Sequence, residues 1–257
     1  MQYDALLTVC FGTADPARFA RCFAPVHAAA AACLPSGRQA LAVSSPRIRT
    51  LLAGAGAVYP APGQALAALA AAGCRQVLVL AAYLCDGEEY RALAALCAQW
   101  RRRFAVLQLT LPLLSACPEG LAAAVDEAFP LRDGRGLLLV GHGAACRENG
   151  GYHALAQLLA AQGRQDVALA LLHGAPAPAR AASALAERGF HRAGLGFLML
   201  CAGHHARQAR GPGGAFQALA DAGLEAELCP VQLGESPAVQ RLFLQAAGLL
   251  PAGTAGG

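Results

Sequence analysis

Three histidines follow apolar runs of the kind that form buried strands. His142 closes LLLVGH, His173 follows VALALL, and His205 stands behind FLMLCAGH. In open parallel sheets, ligands bind outside the carboxyl ends of the strands, so these positions would gather three imidazoles at one edge. A single strand-end histidine is ordinarily a hydrogen-bonded structural residue; three of the chain's seven at equivalent points read as a cluster. Neutral imidazole suits first-row divalent metals, cobalt, iron, nickel and zinc among them. Three protein ligands also leave a coordination position open for a substrate. A carboxylate pair, Glu88-Glu89, follows another apolar run and could move protons. The helix dipole favours acids at a helix start, which accounts for Glu88 more readily than for Glu89. His27, His153 and His191 read as structural or surface residues. His204 adjoins His205, but in an extended segment its side chain would point the other way.

The elements that must position these groups come in two copies. A constant offset of 116 residues aligns Pro60-Ala61-Pro62 with Pro176-Ala177-Pro178, Leu69 with Leu185 and Gly73 with Gly189. The same offset aligns Leu84-Cys85 with Leu200-Cys201 and Gly87 with Gly203, so Glu88-Glu89 correspond to His204-His205. Each copy runs turn, Ala-rich helix, Gly, apolar strand, Gly and then ionisable residues. Apolar runs at 5–11, 40–44, 76–84 and 106–114 alternate with helical stretches through residue 33 and at 44–52, 63–72 and 89–103. The pattern restarts with strands at 136–143, 166–172, 194–201 and 226–234 and helices at 151–162, 178–188, from 214 and from Pro237 to Leu249. Such alternation implies parallel sheets with right-handed crossovers. The expected fold is α/β, two similar doubly wound lobes of parallel sheet with an active-site cleft between them. The expected boundary lies in FPLRDGR, giving an N-terminal lobe of residues 1–130 and a C-terminal lobe of 131–257 that carries the histidines.

Composition closes off other classes. The 56% of hydrophobic residues is largely Ala on helices, and no run is long enough to span a bilayer, so no membrane partner is expected. The start, MQYDALLTVCFGT, has an Asp before its apolar run and no basic region, and reads as a first strand rather than a signal peptide, which points to the cytoplasm. Ten cysteines include no CxxC pair, so neither a zinc ribbon nor a dithiol redox site is expected. The net charge of +4 is mild and Arg101-Arg102-Arg103 has no interleaved aromatics, which argues against nucleic acid. Neither GxGxxG after the first strand nor a Walker sequence is present, so no nucleotide and no ATP are expected. The tail from Pro251 is expected to be disordered.

The ordered series CFGT, GEEY, LPLLS, VGHGA, LCAGHHA and LGESPAV resembles the anaerobic sirohydrochlorin cobaltochelatases, class II tetrapyrrole chelatases of ferrochelatase-like fold, over roughly residues 3–245. The resemblance implies ATP-independent insertion of Co2+ into sirohydrochlorin, a precorrin-2-derived tetrapyrrole, on the anaerobic route to cobalamin. It places the family's catalytic histidine at His142, its second histidine at His205 and its motif carboxylate at Glu89. The family's third metal ligand is a glutamate; here His173 stands at that position, so the implied ligand set is His142, His173 and His205. His204 stands where the family has Asp, and Ala175 where it has an aromatic. Phe11, Gly12, Thr13, Ser44 and Arg47 are the candidate substrate contacts, with Arg49, Arg207 and Arg210 as further partners for the carboxylates of a tetrapyrrole. Co2+ enters as the substrate metal; imidazole ligands accept Fe2+, Ni2+ and Zn2+ as well, which keeps a sirohaem or nickel chelatase open. A non-catalytic metal or tetrapyrrole carrier is the reading from another class. The sequence leaves open whether identical chains associate.

Overall fold

The computed structural model describes residues 3–130, 134–143 and 149–251. Ala144 of the VGHGA motif, residues 131–133 of the expected boundary and the tail from residue 252 lie outside the described residues.

The chain divides into two compact units, Met1–Cys117 with Pro237–Gly257, and Pro118–Ser236. The first contains a four-stranded parallel sheet in the order β2-β1-β3-β4, formed by β1 (Ala5–Cys10), β2 (Arg38–Val43), β3 (Gln76–Ala81) and β4 (Val106–Leu109). The second has β5 (Gly136–Gly143), β6 (Val167–His173), β7 (Arg192–Leu198) and β8 (Glu225–Leu228), all parallel, in the order β6-β5-β7-β8. The two orders are the same permutation, so the repeat in sequence is a repeat in topology. The central strands β1 and β5 are buried along almost their whole length, as continuous apolar strands covered on both faces must be. Each unit has its own core, centred on Leu7, Val79 and Leu66 in one and on Val140, Phe197 and Leu185 in the other.

The repeated turns have the same job in both copies. The carbonyl of Pro60 accepts from Val43 N, at 3.1 Å, and that of Pro176 accepts from Leu171 N, at 2.9 Å. Each turn is thereby pinned to an edge strand just before the helices α4 (Pro62–Ala71) and α9 (Pro178–Glu187) begin. A proline in the first turn loses no helical hydrogen bond, because its missing N–H would have no partner there. The Ser-Ser-Pro signal also holds: the Ser45 side chain accepts from Ile48 N at 3.3 Å and caps α3 (Pro46–Gly54).

Four expectations are corrected. The single helix expected through residue 33 is two, α1 (Pro16–Cys22) and α2 (Ala24–Ala32), parted at Phe23 because Pro25 starts a new first turn. The stretch between β4 and β5 carries two helices, α6 (Leu113–Ala116) and α7 (Pro118–Ala128), that apolar alternation did not mark. The segment after β7 is a short helix, α10 (Gly203–Gln208), not an extended strand end. Finally, the boundary does not fall at residue 130, nor does the second unit run to the C-terminus. The helix α7 belongs with the second unit: it packs on α8 (Gly150–Ala161), and Phe129 just beyond it lies against Gly196 of β7. The last helix, α12 (Pro237–Ala246), belongs with the first, packing on α2 and α6. Both assignments follow burial of apolar helix faces rather than position in the chain.

One buried cation ties the second unit together. Arg164, only 7% exposed, donates to both carboxylate oxygens of Asp166 at 2.9 Å, to the Phe129 carbonyl at 3.2 Å and to Asp126 of α7. In the first unit, Thr8 is fully buried within β1, and its hydroxyl shares a 2.9 Å hydrogen bond with Nδ1 of His27 on α2. Burial holds the His27 imidazole below its usual pKa. The unfolded chain therefore takes up a proton at a higher pH than the native state does, and stability falls as pH drops below about 6.5. We expect the thermal midpoint to decrease from pH 7.5 to 5.5, and to decrease less in His27→Gln. An equal pH dependence in both proteins would show that His27 is not the group responsible.

Among the described residues, no disulfide links the cysteines, and no helix is long and apolar enough to cross a membrane.

Candidate active site

The histidine cluster is built on the carboxyl end of the second sheet. The strand β5 ends Gly141-His142-Gly143, and Gly143 lies in register with His173 at the end of β6. Both glycines are needed. A Cβ on Gly141 would come within 2.5 Å of the Tyr152 ring, and one on Gly143, at φ 68°, would collide with the His173 carbonyl. Gly141 thus makes room for Tyr152 of α8, Gly143 lets the backbones carrying His142 and His173 approach, and the two rings lie with centroids 5.0 Å apart.

His205 arrives on α10, and its backbone is strapped from behind. The Gln232 side-chain oxygen accepts from Ala202 N at 2.7 Å, the Ala202 carbonyl accepts from Ala206 N at 2.7 Å, and the Leu200 carbonyl accepts from Gly234 N at 3.0 Å. The LGESPAV motif therefore contributes geometry: Gly234 and the residue two before it hold the turn that presents His205. The His205 ring lies 5.2 Å from that of His142. Three imidazoles on one tetrahedral ion, each bonded at about 2.0–2.1 Å, would have ring centres about 5 Å apart.

Hydrogen bonds fix which nitrogens are available. His142 Nδ1 is 2.9 Å from the Gly143 carbonyl, an oxygen that can only accept, so Nδ1 carries the proton and the lone pair is on Nε2. His205 Nδ1 likewise donates to the Gln208 side-chain oxygen at 3.2 Å. Such an outer partner orients a ligating histidine and raises its basicity as a ligand. Burial, followed by the nearby His142, holds the His205 imidazole below its usual pKa, with the Gln208 hydrogen bond opposing. His205 is half-buried, whereas His142 and His173 are exposed. The rings are neighbours, but their donor atoms do not meet: among the described residues no group of three His, Cys, Asp or Glu is set to hold a metal ion as it stands. Convergence on one ion requires rotation of these side chains between staggered wells.

The carboxyl end of the first sheet carries the other expected residues. Phe11 directly follows β1 and is 42% exposed. Gly12, at φ 90°, has Ile48 and Val43 side chains 3.0 Å from where a Cβ would stand, so the chain turns there only as glycine. Thr13 follows, half-exposed. The hydroxyls of Ser44, after β2, and Tyr83, after β3, are buried without hydrogen-bond partners among the described residues. Burial pushes the Tyr83 phenol well up; the Ser44 hydroxyl is near enough to oppose this slightly, but without hydrogen-bond geometry. Buried polar atoms are rarely left unpaired, so this pair is suited to meet a polar group from outside. Glu89 is exposed in the first turn of α5 (Glu88–Trp100), beside Glu88.

The arginines divide. Arg47 is exposed, whereas Arg49 donates to the Val43 and Ser44 carbonyls at 2.7 and 2.9 Å and is occupied in holding the end of β2. Arg210 lies over the Phe216 ring, 5.2 Å from its centre, and Arg207 is exposed. A cavity lined by Asp126, Arg164, Asp166 and Phe190 lies at the amino ends of β5 to β7, opposite the histidines, and is not part of this site.

Sequence reasoning missed Gln208, Gln232 and Tyr83. Gln208 is the legible one in retrospect, since H-x-x-Q brings two side chains together on a helix, but only once that segment is known to be helical. The His204 and His205 rings are 5.6 Å apart on this short helix, not on opposite sides as an extended segment would place them.

The chain matches the family model described as cobalt chelatase (CbiK) over residues 4–247. The sirohydrochlorin cobaltochelatase of Salmonella typhimurium is 30% identical over 189 residues, which is 71% of this chain and 71% of that protein. Among solved structures, SirB from Bacillus subtilis with Fe3+ covers 95% of each chain with a TM-score of 0.66 at 14% identity. CbiX, described as the terminal enzyme of siroheme biosynthesis in denitrifying bacteria, covers 95% of this chain and 97% of its own with a TM-score of 0.55 at 20% identity. At these identities the structural likeness is one of fold.

Proposed function

Because the chain belongs to the cobalt chelatase family, we propose that it inserts Co2+ into sirohydrochlorin without ATP. The observation that carries this reading is the imidazole cluster: His142 has ring neighbours His173 and His205 at 5.0 and 5.2 Å, and the Nδ1 hydrogen bonds of His142 and His205 leave Nε2 of each as a lone-pair donor. The lowered pKa of His205 supports it, since a neutral imidazole is the ligand form.

The residues then act as follows. His142, His173 and His205 hold the incoming divalent ion. Sirohydrochlorin presents two pyrrole N–H groups that must lose protons as two metal–nitrogen bonds form. When the ion leaves His142 for a pyrrole nitrogen, the freed Nε2 lone pair is the base for the proton that nitrogen gives up, so bond exchange and proton transfer balance. Glu89 is assigned the second proton. Arg47 pairs with a substrate carboxylate, which a guanidinium fork does well. Phe11, Gly12, Thr13 and Ser44 line the same carboxyl edge of the first sheet as substrate contacts.

The test is anaerobic mixing of the protein, sirohydrochlorin and Co2+, with absorbance followed against a protein-free control. We expect many turnovers per protein. Parallel runs with Fe2+, Ni2+ and Zn2+ rank the metals, and a faster reaction with Fe2+ or Ni2+ than with Co2+ would reassign the product. One equivalent bound with no acceleration would make the protein a carrier.

A further inference from the structure

We infer that His204 and His205 form a second station for a divalent transition metal, adjoining the three-histidine cluster and sharing His205 with it. The inference builds on the reading that His142, His173 and His205 take a metal ion, and adds a ligand that this reading does not use.

His205 has an imidazole on either side: His142 at 5.2 Å and His204 at 5.6 Å. Among the described residues, the His204 ring contacts only His205, so the four rings form a chain, not one four-ligand group. Consecutive residues of a helix normally diverge. Here both fall in the first turn of α10, whose start is held by Gln232 and the Ala202–Ala206 bond, and the two rings meet edge to face at 64°. Two imidazoles bonded to one ion at about 2.0–2.1 Å have ring centres at about this spacing.

The chemistry of the pair then decides what it can bind. His204 is exposed, and among the described residues no carboxylate, and no side chain other than His205, engages it. A site of two neutral imidazoles with no acid has little attraction for Ca2+ or Mg2+, which take oxygen ligands, and suits Co2+, Ni2+, Cu2+ or Zn2+. Water fills the remaining positions.

Sharing His205 has a consequence. Its Nδ1 proton is committed to Gln208, so it has one lone pair, on Nε2, and can bind one ion at a time. An ion held by His204 and His205 joins the cluster by exchanging His204 for His142 while His205 stays bound. The two stations are thus alternative positions of a single ion, and His204 is where an ion from solution is first held by two ligands.

The test uses Co2+ alone, titrated anaerobically into the protein and read by visible absorbance and calorimetry. His142→Ala should still bind one Co2+, more weakly than the parent. His142→Ala/His204→Ala should bind at least 10-fold more weakly again, whereas His142→Ala/His191→Ala, which removes an exposed histidine elsewhere, should match His142→Ala. The inference is overturned if the His204 double variant binds as the His142 single variant does, or if His142→Ala binds no Co2+. No tetrapyrrole is present, so absence of chelatase turnover and absence of the second station are separate results.

Discussion

His142→Ala should lose metal insertion by about 1000-fold or more, while the protein stays folded. Two effects combine. The variant loses a metal ligand, and it loses the lone pair that receives a pyrrole proton; general-base removal alone typically costs about 100- to 10000-fold. The fold should not suffer, because His142 is exposed and the tight approach around it depends on Gly141 and Gly143. Exposed substitutions of this kind usually change stability by about 0.5 kcal/mol or less. Circular dichroism and the thermal midpoint should therefore match the parent while anaerobic absorbance assays show no turnover. Turnover within a factor of ten of the parent would remove His142 from the mechanism. His173→Glu is the informative companion: it restores the carboxylate ligand that the sequence resemblance leads one to expect there, and it should keep turnover while changing the order of metals, since a carboxylate is a harder ligand than imidazole.

Arg164→Ala should cost about 3–5 kcal/mol, because it removes the buried cation that two carboxylates and a carbonyl share. Asp126, Asp166 and the Phe129 carbonyl would all lose a donor. The loss falls on the second unit, where Arg164 joins α7 to the start of β6. For a chain of this size the thermal midpoint should drop by roughly 2–4 °C per kcal/mol, so about 6 °C or more. Arg164→Lys should not restore it, since an ammonium cannot serve two carboxylates and a carbonyl with the planar geometry of a guanidinium. A midpoint within 2 °C of the parent (about 1 kcal/mol at most) would mean that the network is not holding α7.

How much of this was legible in the sequence follows the range of each interaction. His142 and His173 could be placed at strand ends because short apolar runs mark buried parallel strands locally, and the turn into each helix is written in Pro60-Ala61-Pro62 and Pro176-Ala177-Pro178. The α10 helix was not legible: Gly203-His204-His205 has little helical signal, and what makes it turn is the Gln232 side chain, 30 residues further on. The role of Gln208 was hidden for the same reason. Arg49, a charged residue near a helix start, looks available to substrate in the sequence, yet two backbone carbonyls claim it.

The sequence by itself determined the repeated α/β pattern, the strand-end positions of His142 and His173 and the membership suggested by its motifs, since all three rest on local periodicity or on residues in fixed order. Only the tertiary structure decided the rest. It sent α12 back to the first unit and α7 forward to the second, because a helix buries its apolar face wherever a partner face is found, whatever its order in the chain. It set the tautomers of His142 and His205 through the oxygens that face Nδ1. It also turned His204 toward His205, because side-chain direction depends on whether the backbone is helical or extended, and that was settled by hydrogen bonds from elsewhere in the unit.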